Sequence, residues 1–150
     1  VGLEQPRCFE DIEVDDEYVS PGRTVTEADI VIFAGLSGDY NVLHTDAEHM
    51  KSSIFGERIA HGLLGLSIQH GLLRRSMIAG PEERLVTLKW KFKGPIKIGD
   101  TLHVRARVVA VTDADEPGWG RVSMERLVLN QHGQVVQQGE TEHLIGRRGG

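Results

Sequence analysis

The stretch Ile59-Ala60-His61-Gly62-Leu63-Leu64-Gly65-Leu66-Ser67-Ile68-Gln69-His70-Gly71-Leu72-Leu73-Arg74 decides how the rest of the chain must be arranged. Its apolar residues follow helical spacing on two stripes, Leu63, Leu66 and Leu73 on one and Leu64, Ile68 and Leu72 on the other. A helix from Ile59 to Arg74, apolar on nearly every face, is expected to be buried. Gly62, Gly65 and Gly71 each cost it about 1 kcal/mol relative to alanine, which makes sense if neighbouring backbone comes close. A sheet wrapped around the helix would require that approach.

Outward from this helix the pattern changes. Beyond Pro81 the period becomes two: Leu88, Trp90 and Phe92 alternate with Lys89, Lys91 and Lys93, predicting a strand over Leu85–Lys93 with one face open to water. Gly94-Pro95 and Gly99-Asp100 are turn signals, and Leu102, Val104, Ala106 and Val108 mark another strand through Thr101–Thr112. Asp113–Gly120 reads as a loop. Strands over Val122–Leu129 and Val135–Ile145, joined at Gln131-His132-Gly133, follow it, with a frayed tail from Gly146. Upstream, Glu17–Val19 can start a strand before the Pro21-Gly22 turn. Thr26 caps a helix running from Glu27 to about Leu36, which Ser37-Gly38 ends. Asp39–His44 is expected to be an irregular loop, and Asp46 to cap a short helix through Lys51. A buried helix followed by consecutive strands makes an α+β fold, a curled antiparallel sheet around the helix, with residues 1–150 as one domain.

Composition excludes several classes. At 150 residues the chain can bury a core without disulfides or metals. Acidic residues outnumber basic ones 22 to 17, which disfavours nucleic acid as a partner. The single Cys8 excludes an internal disulfide framework, and the N-terminal residues are too polar for a secretory signal, so the cytoplasm is the expected compartment. No apolar run approaches the roughly 20 residues that cross a bilayer. The histidines show no HExxH spacing: His44 and His49 would not share a helical face, and His103, His132 and His143 are dispersed. No metal is expected. Without GxGxxG or Walker spacing, no cofactor is expected either.

The chemistry-bearing residues cluster on either side of the short capped helix. Ser37-Gly38-Asp39-Tyr40-Asn41-Val42-Leu43-His44 places a carboxylate, an amide and an imidazole within one short segment. Asp39 and His44 are the types needed for general acid/base catalysis, worth about 10²- to 10⁴-fold in rate. The residues alone equally admit an Asx turn at Asp39 and a hydrogen-bonded loop histidine at His44. Asn41 can fix the loop by bonding backbone groups or can orient the acid/base pair, and turn chemistry favours the first. Gly62, at the helix N-terminus, can offer a backbone N–H to a developing oxyanion, or can simply be small for packing. His61 beside it reads as structural. Lys89, Lys91 and Lys93, joined by Arg58, Arg74 or Arg75, form a basic strip that is either a solvated face or a contact for the phosphates of a coenzyme A carrier.

The segment Gly38-Asp39-Tyr40-Asn41-Val42-Leu43-His44, with Phe55-Gly56 and Ile59-Ala60-His61-Gly62 after it, resembles the signature of the MaoC-like hydratases, (R)-specific enoyl-CoA hydratases of hot-dog fold. That pattern reads Gly-Asp-x-Asn-Pro-aliphatic-His and then His-Gly at the start of the central helix. Gly94-Pro95-Ile96-Lys97-Ile98-Gly99-Asp100 is similar to a turn common in hot-dog proteins, though less specific. The resemblance implies that Asp39 and His44 activate one water for syn addition to an enoyl thioester, that Asn41 holds the loop, and that the Gly62 N–H stabilises the enolate oxygen. It further implies an acyl-CoA or acyl-carrier thioester substrate and a homodimer, with dimers of dimers or higher assemblies open. Val42 departs from the pattern, since the family has proline there. A hot-dog thioesterase and a non-catalytic acyl-thioester-binding subunit are the competing readings: the Asp39, Asn41 and His44 set favours the lyase over the first, and retention of both proton-carrying residues argues against the second.

Overall fold

A computed structural model describes residues 7–76 and 83–149. In chain order its elements are β1 (Glu17–Val19), β2 (Arg23–Thr24), α1 (Glu27–Ser37), α2 (Val42–Thr45), α3 (Ala47–Met50), α4 (Gly62–Ser76), β3 (Glu83–Phe92), β4 (Thr101–Asp113), β5 (Trp119–Leu129) and β6 (Val135–Gly146). The strands form an antiparallel sheet in the order β1-β4-β5-β6-β3, with β2 also paired to β4. This sheet curls around α4, which is the α+β hot-dog arrangement.

Alternation explains the core. Leu102, Val104, Ala106 and Val108 of β4 and Val122, Met124 and Val128 of β5 are buried, and they meet Leu64, Ile68, Leu72 and Leu73 of α4. At roughly 25 cal/mol per Å² of apolar surface, this face dominates the stabilisation. The helix is not buried all round, however. Leu63 is 58% exposed and Leu66 half-buried, so of the two expected stripes the one through Leu64, Ile68 and Leu72 is covered, whereas the other is buried only at Leu73. The glycines split similarly. A Cβ at Gly65 would come within 2.6 Å of Ile96, and one at Gly62 within 2.9 Å of the Phe92 ring, whereas Gly71 faces open space. Side chains, rather than backbone, make these approaches.

The capping signals hold. The Thr26 hydroxyl accepts the Asp29 N–H and the Asp29 carboxylate accepts the Thr26 N–H at 2.8 Å, while Gly38 ends α1 at φ +75°. Asp46 caps α3, accepting the His49 N–H at 2.9 Å.

Four expectations need correction. Val42–Thr45 is a helical turn rather than irregular loop, because Asn41 caps it. Helix α4 starts at Gly62 rather than Ile59: Ile59 bridges to Lys97 and the Ala60 N–H donates to the Ile96 carbonyl at 2.7 Å, which holds that segment extended. On strand β3 the apolar face is largely uncovered, with Leu88 42% and Phe92 54% exposed and Trp90 half-buried against the core. The tail is tethered at its start: Arg147 pairs with Asp113 and the Arg148 N–H donates to Glu10 at 3.0 Å. The expected break at Pro81 lies outside the described residues.

Candidate active site

Local rules build the segment that carries Asp39 and His44. Once Gly38 reverses the chain, the Asp39 carboxylate accepts the Asn41 N–H at 3.2 Å in an Asx turn, and the Asn41 side chain accepts the Leu43 N–H at 3.0 Å. One turn of α2 then carries His44 inward, where it is 8% exposed. Its Nδ1 faces the Ile59 carbonyl at 2.7 Å. A carbonyl can only accept, so Nδ1 bears the proton and Nε2 presents its lone pair. The Ile59 N–H donates back to the Leu43 carbonyl at 3.1 Å, which locks the two segments together.

Nε2 of His44 stands 3.9 Å from Oδ2 of Asp39. That is too long for a hydrogen bond and short enough for one water to touch both atoms. Half of the Asp39 side chain is exposed, 53%, so the carboxylate meets solvent while the imidazole lies at the wall. Arg58, held by Glu27 at 2.9 Å, donates to the His44 carbonyl at 3.3 Å and fixes the turn from below.

His44 and Gly62 share a pocket of about 470 Å³ whose apolar lining includes Leu43, Phe55, Ile59, Phe92 and Ile96. As the first residue of α4, Gly62 has an N–H with no acceptor inside the helix. Its carbonyl accepts from the Gln137 side chain at 2.9 Å, and Gln137 in turn accepts from the Trp90 indole at 3.0 Å. The strand thus orients the helix terminus.

The structure brings Asp39, Asn41, His44 and Gly62 to one place, and it adds a residue that sequence reasoning set aside. His61 stacks on His44 with ring centroids 3.8 Å apart, and its Nε2–H donates to the Asp39 carbonyl at 2.9 Å. Asp39, His44 and His61 offer ligand atoms within 4.8 Å of one another, a grouping of metal-site dimensions that the dispersed histidine spacing did not suggest. His44 Nδ1 and His61 Nε2 are already used on backbone carbonyls.

The basic strip breaks up. Lys89 and Lys91 share a surface depression with Glu125 and Glu140, Arg74 pairs with Glu83 and Arg58 with Glu27. Lys93 alone of the strip borders the pocket of His44 and Gly62. No helix among the described residues is long and apolar enough to cross a membrane.

A curled antiparallel sheet around one helix defines a hot-dog protein, here with a carboxylate and an imidazole 3.9 Å apart near the helix N-terminus. The family model described as "MaoC like domain" matches residues 11–128, and the chain belongs to that family. It is 32% identical over 141 residues to the (R)-specific enoyl-CoA hydratase of Rhodospirillum rubrum, covering 94% of this chain and 93% of that one. Among solved structures it is similar to a monoamine oxidase regulatory protein of Archaeoglobus fulgidus, with a TM-score of 0.89 and 35% identity over 99% of both chains. The unliganded (R)-hydratase of Pseudomonas aeruginosa superposes with a TM-score of 0.80 at 30% identity, over 94% of this chain and 86% of that one.

Proposed function

We propose that the protein is a cofactor-free hydro-lyase that adds water syn across the double bond of a 2-enoyl thioester to give the (R)-3-hydroxyacyl thioester, or runs the reverse dehydration. The observation that carries this reading is the free Nε2 lone pair of His44, 3.9 Å from the Asp39 carboxylate, on the wall of the pocket that Gly62 also lines. The 32% identity to an (R)-specific enoyl-CoA hydratase over nearly the whole chain supports it.

The geometry supports the following chemistry. A water held between Asp39 and His44 gives its proton to the pair as its oxygen bonds to C3. The electron pair of the C2–C3 double bond moves toward the thioester oxygen, where the Gly62 N–H and the dipole of α4 meet the new negative charge. A proton from the same Asp39–His44 pair then reaches C2. Both atoms are delivered from one side, which makes the addition syn. Asn41 supplies no proton and holds the turn.

Lys93, at the pocket border, is placed to meet a phosphate of the coenzyme A or carrier-protein arm. We also assign a homodimer formed through β3: an edge strand of 10 residues with Leu85, Val86, Leu88 and Phe92 exposed is a pairing liability until a second copy covers it. Light scattering that returns the mass of one chain would refute that assembly. Cys8, free and half-buried near the N-terminus, suits a reducing cytoplasm.

The test follows crotonyl-CoA by the absorbance of its conjugated double bond, with free thiol monitored in the same cuvette. Absorbance is expected to fall without thiol release. Thiol release would establish the thioesterase reading, and no turnover across several chain lengths would establish the binding subunit.

A further inference from the structure

His61 is a buried side chain that contacts both members of the acid/base pair, the ring of His44 and the backbone of Asp39. It lies in extended chain just before α4, 2% exposed, with its ring stacked on His44 at 26° between planes. Phe33 of α1 closes its other side, ring centroid to ring centroid 5.0 Å. Its Nε2–H donates to the carbonyl of Asp39, 22 residues away in sequence. That bond assigns the proton to Nε2, and Nδ1 is left buried without a hydrogen-bond partner among the described residues. A buried nitrogen without a partner is unfavourable, so an apolar ring would fill this space better if filling were the whole role.

What the arrangement accomplishes is orientation. The hydrogen bond from His44 Nδ1 to Ile59 anchors one corner of the imidazole but leaves its plane free to swing about that contact. Stacking on His61 fixes the plane. The Asp39 side chain is half exposed, and its backbone is held by the bond from His61. One buried side chain therefore sets both the ring that bears the lone pair and the backbone that carries the carboxylate.

Resting on the hydration reading above, we infer that His61 is a positioning residue for the reaction, holding Asp39 and His44 in register so that one water meets both. It does not line the pocket, so it acts on the rate through the pair and not on substrate binding.

Three variants separate its contacts. His61→Gln keeps an N–H donor toward the Asp39 carbonyl, His61→Phe keeps a ring against His44, and His61→Ala keeps neither. With crotonyl-CoA, kcat of His61→Ala is expected to fall about 10- to 100-fold with KM unchanged, since misplacement by about 1 Å costs rates of that order. His61→Gln and His61→Phe should each recover part of the loss. In a His44→Ala background, adding His61→Ala should cost nothing more. Independently of turnover, the ring signals of His44 should be sharp in the wild type and exchange-broadened in His61→Ala, as the imidazole plane swings about the bond to Ile59. The inference is overturned if KM rises while kcat holds, if the loss is the same in both backgrounds, or if kcat and the His44 ring signals are both unaltered. A wild-type protein that hydrates no enoyl thioester overturns the hydration reading instead, and the His44 ring signals still decide whether His61 holds His44.

Discussion

The Asn41 side chain accepts the Leu43 N–H at 3.0 Å, which makes Asn41 the N-cap of α2 and Val42 its first helical residue. That position is the one in a helix where proline is best tolerated, because its N–H has no intrahelical acceptor. Asn41 already has φ −52° and ψ 139°, the extended conformation a following proline requires. Val42→Pro is therefore expected to stabilise the fold by about 0.4–1 kcal/mol, by restricting the unfolded chain, and to leave the hydration rate unaltered. Urea denaturation and the crotonyl-CoA assay check the two halves. A destabilised Val42→Pro would mean that α2 starts elsewhere.

The central helix offers a paired test of packing. At Gly65 a methyl group would press on Gln137 and on Ile96, whose Cδ1 would stand 2.6 Å away, so Gly65→Ala should cost about 1–3 kcal/mol. At Gly71, where nothing lies within 4 Å, alanine should instead gain about 0.5–1 kcal/mol of helix propensity. Denaturation midpoints of opposite sign are the expected outcome. Equal shifts would contradict the one-sided burial of α4.

These contrasts show what was legible in the chain. Thr26, Asp29 and Asp46 were readable because a cap is settled within four residues, and the alternation of β4 and β5 was readable because each strand has one buried face. The start of α4 was not. Ile59 and Ala60 continue its apolar pattern but are drawn into extended pairing with Ile96 and Lys97, a tertiary contact that overrides propensity. Nor was the exposure of β3, whose pattern describes a face that the described residues leave largely uncovered. At the site, the types and spacing of Asp39, Asn41, His44 and Gly62 made them candidates only, and the resemblance to the MaoC-like signature is what favoured a catalytic reading of them. His61 was not among them, since its bond to Asp39 and its stack on His44 exist only after folding; its one local signal was its place beside Gly62 at the helix mouth.

A buried ionic group predicts a pH dependence. Burial, with Arg126 beside it, pushes the His143 imidazole down to about 3 from 6.5, and burial lowers Arg126 to about 10. His143 Nδ1 faces Glu83 at 2.8 Å, a carboxylate that Arg74 also holds. A histidine lowered in the folded state is protonated first in the unfolded chain, so its contribution is complete above 6.5 and is lost as pH falls toward 3. Stability should therefore decline between about pH 6.5 and 4.5, before carboxylates begin to titrate. His70, lowered chiefly by burial, acts in the same direction. His143→Gln should flatten most of that slope in urea titrations. An unchanged slope would show that His143 is not the group responsible.

Lys93 supplies a test of the carrier arm. Lys93→Ala is expected to raise KM for crotonyl-CoA and to leave it unchanged for a crotonyl thioester of N-acetylcysteamine, which has no phosphate. A rise with both substrates would place Lys93 against the acyl group instead.

The central claim is that Asp39 and His44 act as one unit on one water, and a double-mutant cycle in kcat/KM for crotonyl-CoA tests it most directly. Asp39→Asn and His44→Ala should each cost at least about 10² in rate. Groups that work on the same water are grossly non-additive, so the double variant should be no slower than the slower single variant. Losses that simply multiply would contradict the account, as would full activity in either single variant.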